Sequence, residues 1–313
     1  MTKTSRVVIA TRGSALALWQ SRWVAARLTE LHPELEVDLH ILKTTGDRFQ
    51  EAALQAIGGK GAFTKEITEA LLRGEADLAV HSLKDLPTQV TPGLRVWAHP
   101  PRFDSRDAWI GRGGLSFRDL PRGAVVATGS LRRRAQLLRH HPEAQVEDIR
   151  GNVETRLRKF DEGNMAGMFL AMAGLERLGF SNRVTEALDT TLFLPAPGQG
   201  ALAIEGRDDA SGEALLAPLD DPETRDTVTA ERAFLAALEA GCQVPLGASA
   251  RIVSHEIVLQ GLVATLDGTE VVRGETRGDR AQSADLGRWL AAELRDQGAG
   301  RILDEVRRSG GMA

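Results

Sequence analysis

One short pattern occurs twice in this chain, and it constrains the fold more than any other feature. Val7-Val8-Ile9-Ala10 runs into Thr11-Arg12-Gly13-Ser14, then into a stretch with Leu16, Trp19, Trp23, Val24, Leu28 and Leu31 at helical spacing. Ala124-Val125-Val126-Ala127 runs into Thr128-Gly129-Ser130, then into Leu131 to Arg139. Four apolar residues, a glycine turn, a serine and a helical period read as strand, turn and capped helix. Further strand patterns at 37–42, 77–81 and 146–149, and helix patterns at 64–72 and 153–160, extend each copy. The apolar run 168–173 continues the second. Such alternation predicts two related α/β units, each a mostly parallel sheet covered by helices.

The later sequence changes character. Leu194-Pro195-Ala196-Pro197-Gly198-Gln199-Gly200 reads as a loop. The strand pattern Ala201 to Ile204 follows it and is expected to return to the first sheet, making the first domain discontinuous. An amphipathic helix is expected over 222–240, ended by Gly241. Strand patterns at 250–253, 257–264 and 270–275 follow, the last two joined by an Asp267-Gly268 hairpin turn, and two helix patterns close the chain. The expected division is therefore three domains: 1–100 with 200–218 (α/β, discontinuous), 101–199 (α/β), and 219–313 (small α+β).

A net charge of −4 on 313 residues gives no reason to expect nucleic acid as a partner. The polar start Met1 to Arg6 leads into an apolar run too short for a signal peptide or a membrane span, so a cytoplasmic protein is expected. No apolar stripe calls for an oligomer, and a monomer is expected. The single cysteine, Cys242, excludes an internal disulfide and cannot alone form a thiolate metal site, and no metal is expected.

The residues that could carry chemistry gather at turns. Gly58 to Glu66 is a glycine-rich entry to a helix, with Lys60 and Lys65, but lacks P-loop spacing. Ala79-Val80-His81-Ser82-Leu83-Lys84-Asp85-Leu86-Pro87 leaves a strand, and the carboxyl ends of strands in open α/β sheets are where ligands bind. Arg132-Arg133-Arg134 opens a helix, where the macrodipole disfavours cations unless an anion is held there too. Arg150, before Gly151-Asn152, opens the next helix, with Arg156 and Arg158 beyond, and Arg12 and Ser14 occupy the matching turn of the first copy. Only six of the 39 basic residues are lysines. Arginine grips carboxylates bidentately, so recurrence at these turns points to a ligand with several carboxylates. Trp19 and Trp23 read as core, and His140-His141 as surface.

Taken in order, the segments 10–18, 58–66, 79–87, 128–133, 150–157, 173–179, 195–205 and 241–247 resemble the porphobilinogen deaminase family. The resemblance implies two domains like those of periplasmic binding proteins and a third that carries a cofactor cysteine. It implies a transferase of tetrapyrrole biosynthesis. Four porphobilinogen molecules would be condensed head to tail into hydroxymethylbilane, with loss of ammonia, on a dipyrromethane primer joined to Cys242 by a thioether. It makes Asp85 the catalytic carboxylate. It assigns the cofactor to Cys242, Arg12, Ser14, Lys60, Ser82, Lys84, Asp85, Thr128, Ser130, Arg132, Arg133, Arg150 and Arg156. It assigns substrate to Arg12, Gln20, Arg150, Arg156, Arg177 and Gln199. Departures from the family pattern at Ala56, Ala62, Asn164 to Gly167 and Ala248 remove none of these.

Two other readings stay open on the residues alone. A non-catalytic two-domain ligand binder would share the first two domains, but leaves the third domain and the pairing of Lys84-Asp85 with Gly241-Cys242 unexplained. A cysteine-nucleophile hydrolase would need an activating histidine, and none of the seven lies in a motif that pairs with Cys242.

Overall fold

Both copies of the repeated pattern fold as strand, turn and capped helix. The computed structural model describes residues 5–43, 64–209, 211–239 and 244–310. The elements run β1 (Ser5–Arg12), α1 (Ala15–Leu31), β2 (Leu35–Leu42), α2 (Lys65–Leu72), β3 (Leu78–Ser82), β4 (Leu94–Ala98), β5 (Asp107–Gly111), β6 (Val125–Ala127), α3 (Leu131–His140), β7 (Gln145–Glu147), α4 (Val153–Glu162), β8 (Gly167–Ala171), α5 (Met172–Arg177) and β9 (Glu186–Ala187). They continue as β10 (Leu202–Arg207), α6 (Ser211–Leu216), α7 (Pro222–Ala237), β11 (Leu246–Val253), β12 (Glu256–Ala264), β13 (Val271–Asp279), α8 (Ser283–Leu294) and α9 (Gly300–Gly310). The chain divides into two compact units, Met1–Phe103 with Ala201–Arg225, and Asp104–Gly200 with Asp226–Ala313.

The first unit holds one sheet, ordered β2-β1-β3-β10-β4. β1 pairs in parallel with β2 and β3, and β10 runs antiparallel to both β3 and β4. Four strands therefore point one way and one is reversed. β10 is the late strand that returns, as its position after the Pro/Gly loop led us to expect. Val7, Ile9, Val24, Leu28, Val80 and Ile204 form the centre of its core. Nearly all of β3 and β10 is buried, so neither alternates between polar and apolar faces; beside their apolar residues lies a buried His81–Glu205 pair at 3.2 Å.

The second unit holds two sheets. The first is ordered β7-β6-β8-β5-β9, again with four strands pointing one way and one, β5, reversed before the edge. Trp109 on β5 is fully buried against Phe117 and Phe169. Its indole leaves no room opposite, since a Cβ at Gly167 would lie 2.0 Å from the ring. The second sheet is the meander β11-β12-β13. One face of β13 alternates toward solvent, while α7, α8 and α9 cover the other side through Phe234, Leu290 and Ile302. Gly268, at φ +69°, makes the expected hairpin turn between β12 and β13.

Several bounds differ from those expected. The apolar run 168–173 divides between β8 and α5, because a buried strand and a buried helix start look alike by hydropathy. The helix expected over 222–240 is observed to Ala237. β4, β5 and β9 carry no clear signal: β4 follows two prolines, β5 opens on a charge and ends on glycine, and β9 has two residues.

Candidate functional site

In the first unit, the candidate side chains sit at the carboxyl ends of two paired parallel strands. β1 ends at Arg12, and Ser14 caps α1 by accepting from the Ala17 amide at 3.4 Å. β3 ends at Ser82, and a single tight turn, Leu83–Asp85, carries Lys84 and Asp85. Leu83 is buried and anchors that turn, its amide donating to the Ala201 carbonyl at 3.0 Å. Asp85 is exposed and Lys84 half-buried. Gln20, 2% exposed, donates from Nε2 to the Ser82 hydroxyl at 2.8 Å. That bond ties α1 to the turn bearing Asp85, so Arg12, Ser14, Gln20, Ser82, Lys84 and Asp85 share one edge of one sheet.

In the second unit, the same edge is built from β6, β7 and β8. The Thr128 hydroxyl accepts from the Ser130 amide at 3.2 Å, and Ser130 caps α3 by accepting from the Arg133 amide at 3.4 Å. The next turn uses Gly151, at φ +115°, to bring Asn152 onto the head of α4, where its side chain accepts from the Thr155 amide at 2.8 Å. Half-buried Arg150 pairs with Asp148 at 2.6 Å, and Arg156 donates from Nε to the Gly151 carbonyl at 2.8 Å. The structure thus brings Thr128, Ser130, Arg132, Arg133, Arg150 and Arg156 to adjacent helix N-termini.

Sequence reasoning missed the group that organises this cluster. Asp107, fully buried at the head of β5, takes both neighbouring arginines. Its Oδ1 accepts from Arg133 Nη2 at 2.6 Å and Nε at 3.0 Å, and Arg132 reaches both oxygens. Arg132 and Arg133 are only 5% and 6% exposed. Burial alone would raise the Asp107 pKa, but the two guanidiniums and their hydrogen bonds outweigh it and hold the carboxyl well below the usual range. Burial pushes Arg133 down, with Asp107 opposing and Arg132 adding to the shift. One carboxylate between two guanidiniums leaves one positive charge at the head of α3. The only hint in the sequence is the acidic residue opening Asp107-Ala108-Trp109-Ile110.

Two assigned residues sit deeper than a binding role suggests. Gln199 is 0% exposed, and its amide donates to Ser105 O, Arg106 O and Asp107 Oδ1 at 2.8, 3.3 and 3.0 Å. Arg177 is 6% exposed, donates to the Gly200 carbonyl at 2.8 Å, and is pushed down by burial to about 10. Lys60 and Cys242 lie outside the described residues. Trp19 packs edge-on against Phe103, and Trp23 lines the first unit's core.

Comparison with known proteins decides the family. Residues 7–213 match the model described as the porphobilinogen deaminase dipyromethane cofactor binding domain, and residues 226–296 match that enzyme's C-terminal domain. The chain belongs to the porphobilinogen deaminase family. The porphobilinogen deaminase of Syntrophobacter fumaroxidans is 49% identical over 98% of this chain and 100% of its own. Those of Desulforudis audaxviator and Deinococcus radiodurans are 50% and 47% identical, over 96% of this chain and 98% and 99% of theirs. Among solved structures, the periplasmic aliphatic sulphonate binding protein SsuA of Escherichia coli covers 76% of this chain and 71% of its own, at 13% identity and TM-score 0.41.

Membership of the porphobilinogen deaminase family carries the transferase reaction of tetrapyrrole biosynthesis and the dipyrromethane cofactor. The residues present fit such a group. Each pyrrole ring bears carboxylates, and the cluster offers capped helix N-termini, a surplus positive charge beside Asp107, and two further arginines. Among the described residues no group of histidines and carboxylates could hold a metal ion, and no helix is long and apolar enough to cross a membrane.

Proposed function

We propose that Asp85 is the catalytic carboxylate, that Cys242 anchors the dipyrromethane, and that the arginine-bearing turns hold the carboxylates of cofactor and substrate. The observation that carries this reading is the Gln20–Ser82 hydrogen bond, which fixes the Asp85 turn beside the turn bearing Arg12 and Ser14. When bound, the cofactor supplies a nucleophilic pyrrole carbon at which chain growth starts. Arg12, Ser14, Ser82, Lys84, Thr128, Ser130, Arg132, Arg133, Arg150 and Arg156 would hold it, with Lys60. Arg12, Gln20, Arg150, Arg156, Arg177 and Gln199 are assigned to substrate, the last two as interior supports rather than direct ligands. Asp85 Oδ accepts a pyrrole N–H, shares a proton as ammonia departs, and stabilises the cationic azafulvene left behind. Its exposure in a one-turn helix leaves it open to substrate.

Three domains remain the working division, because the two sheets of the second unit have separate cores, one around Met168 and one around Phe234. We take the working form as a cytoplasmic monomer, for which a lone cysteine committed to a thioether is suited. Sedimentation of the loaded protein tests the monomer.

The deciding experiment compares the intact masses of the denatured protein and its Cys242→Ala variant. The expected result is a two-pyrrole adduct on the first and none on the second. Bare masses in both, persisting after incubation with porphobilinogen, would sink the tether and favour a non-catalytic ligand binder.

A further inference from the structure

The loop Leu194 to Gly200 is buried almost throughout, and both of its sides are bonded. On one side, the Gly198 amide donates to Glu231 Oε2 at 2.7 Å, and Glu231 Oε1 accepts from the Ala250 amide at 2.7 Å. The Ala248 amide also donates to the Pro195 carbonyl at 3.0 Å. On the other side, Gln199 donates to Asp107, and the Leu194 carbonyl accepts from Arg132 Nη1 at 2.7 Å. Glu231 is 0% exposed and stands on α7, the helix that precedes Cys242 in the sequence.

A buried carboxylate is costly unless its oxygens are hydrogen-bonded, so its presence needs a reason. Two backbone N–H groups, from the loop and from β11, point at its two different oxygens. Only a carboxylate accepts both, because a glutamine here would set an N–H against an N–H. The Gly198 bond holds the backbone of the loop, and the next residue, Gln199, meets Asp107.

We propose that Glu231 is a positioning residue for the carboxylate-binding arginines. Through Gly198 and Gln199 it fixes the Asp107 carboxylate, and Asp107 sets the orientation and net charge of Arg132 and Arg133. The domain that carries Cys242 thereby holds the arginine cluster in the register that the anchored cofactor needs. This rests on the reading of Arg132 and Arg133 as ligands of cofactor or substrate carboxylates.

The test uses cofactor loading by intact mass, and KM and kcat for porphobilinogen, on four variants. Glu231→Gln should raise KM by about ten- to a hundredfold, the scale of a small misplacement, with kcat changed less. Leu290→Ala, in the same core as α7, controls for general loosening and should leave KM unchanged. Gln199→Glu loses the donor to Asp107 when ionised and regains one when protonated. The charged groups bonded at or next to that position are Asp107 on β5 with its partners Arg132 and Arg133 on α3, Arg177 on α5 at the Gly200 carbonyl, and Glu231 on α7 at the Gly198 amide. Repulsion between adjacent carboxylates raises the pKa at which the pair takes up a proton. Its kcat/KM relative to wild type should therefore rise as pH falls. Arg133→Ala separates the two readings. If it raises KM or blocks loading while Glu231→Gln does neither, the relay is wrong and the arginine assignment stands. If Arg133→Ala also behaves as wild type, the arginine assignment itself fails. Should Glu231→Gln not fold, a flat pH ratio for Gln199→Glu overturns the relay.

Discussion

Asp85 and Asp107 are carboxylates with opposite surroundings, and the contrast makes their proposed roles separately testable. Asp85 is exposed on a one-turn helix, while Asp107 is sealed between two guanidiniums. Asp85→Asn should keep the cofactor adduct and lose turnover by at least about a hundredfold, the usual worth of a positioned acid or base. Near-normal turnover would remove Asp85 from the chemistry. Asp107→Ala should cost about 3–5 kcal/mol, because it strands two buried cations. The folded-state pKa of Asp107 is depressed, so its stabilisation is complete above the unfolded value near 4 and is lost as pH falls toward the folded value. Urea midpoints of the wild type should therefore drop as pH falls below about 4, and Asp107→Ala should lack that part of the slope. An unchanged slope would place the acid sensitivity elsewhere. The turn bearing Asp85 was legible as a candidate site because Lys, Asp and Pro crowd the end of an apolar strand, while its catalytic role comes from the family resemblance alone. Asp107 was not, because its meaning comes from β5 lying beside β8, a long-range pairing that no local pattern records.

At the level of elements, each unit presents capped helix N-termini: Ser14 on α1 in the first, and Ser130 on α3 and Asn152 on α4 in the second. The caps were readable, since serine or asparagine after a glycine turn is a helix start. Unreadable was how the three parallel strands of each sheet align these starts on one edge. Ser130 separates two functions. Ser130→Ala should lower stability by about 1 kcal/mol, whereas Ser130→Gly should cost only a few tenths. If the hydroxyl also binds a carboxylate, both variants should load cofactor poorly although only one is destabilised. Normal loading in Ser130→Gly would reduce Ser130 to a cap.

Across the whole molecule, the net charge of −4 opposes a ligand rich in carboxylates, so the proposed reading requires attraction local to the arginine turns. Added salt should then raise KM for porphobilinogen more than it lowers kcat, since exposed and half-buried cations such as Arg150 are screened within about 10 Å at 0.1 M. A fall in kcat at constant KM would point instead to screening at Asp85. The repeat made the two α/β sheets foreseeable, and the meander followed from its hairpin turn, whereas the reversed strand β5 was hidden by its brevity and mixed composition. The other reversed strand, β10, has a consequence for biosynthesis. It lies between β3 and β4, so the first sheet is incomplete until residues 202–207 have been made. The inserted sheet, β5 to β9, has all its strands by Ala187. On a translating ribosome the part of the chain that begins second can close first, and β4, made early, waits for its neighbour while more than a hundred residues emerge. A nascent chain stalled where residue 195 has just left the ribosome should therefore protect 107–187 from protease before it protects 94–98.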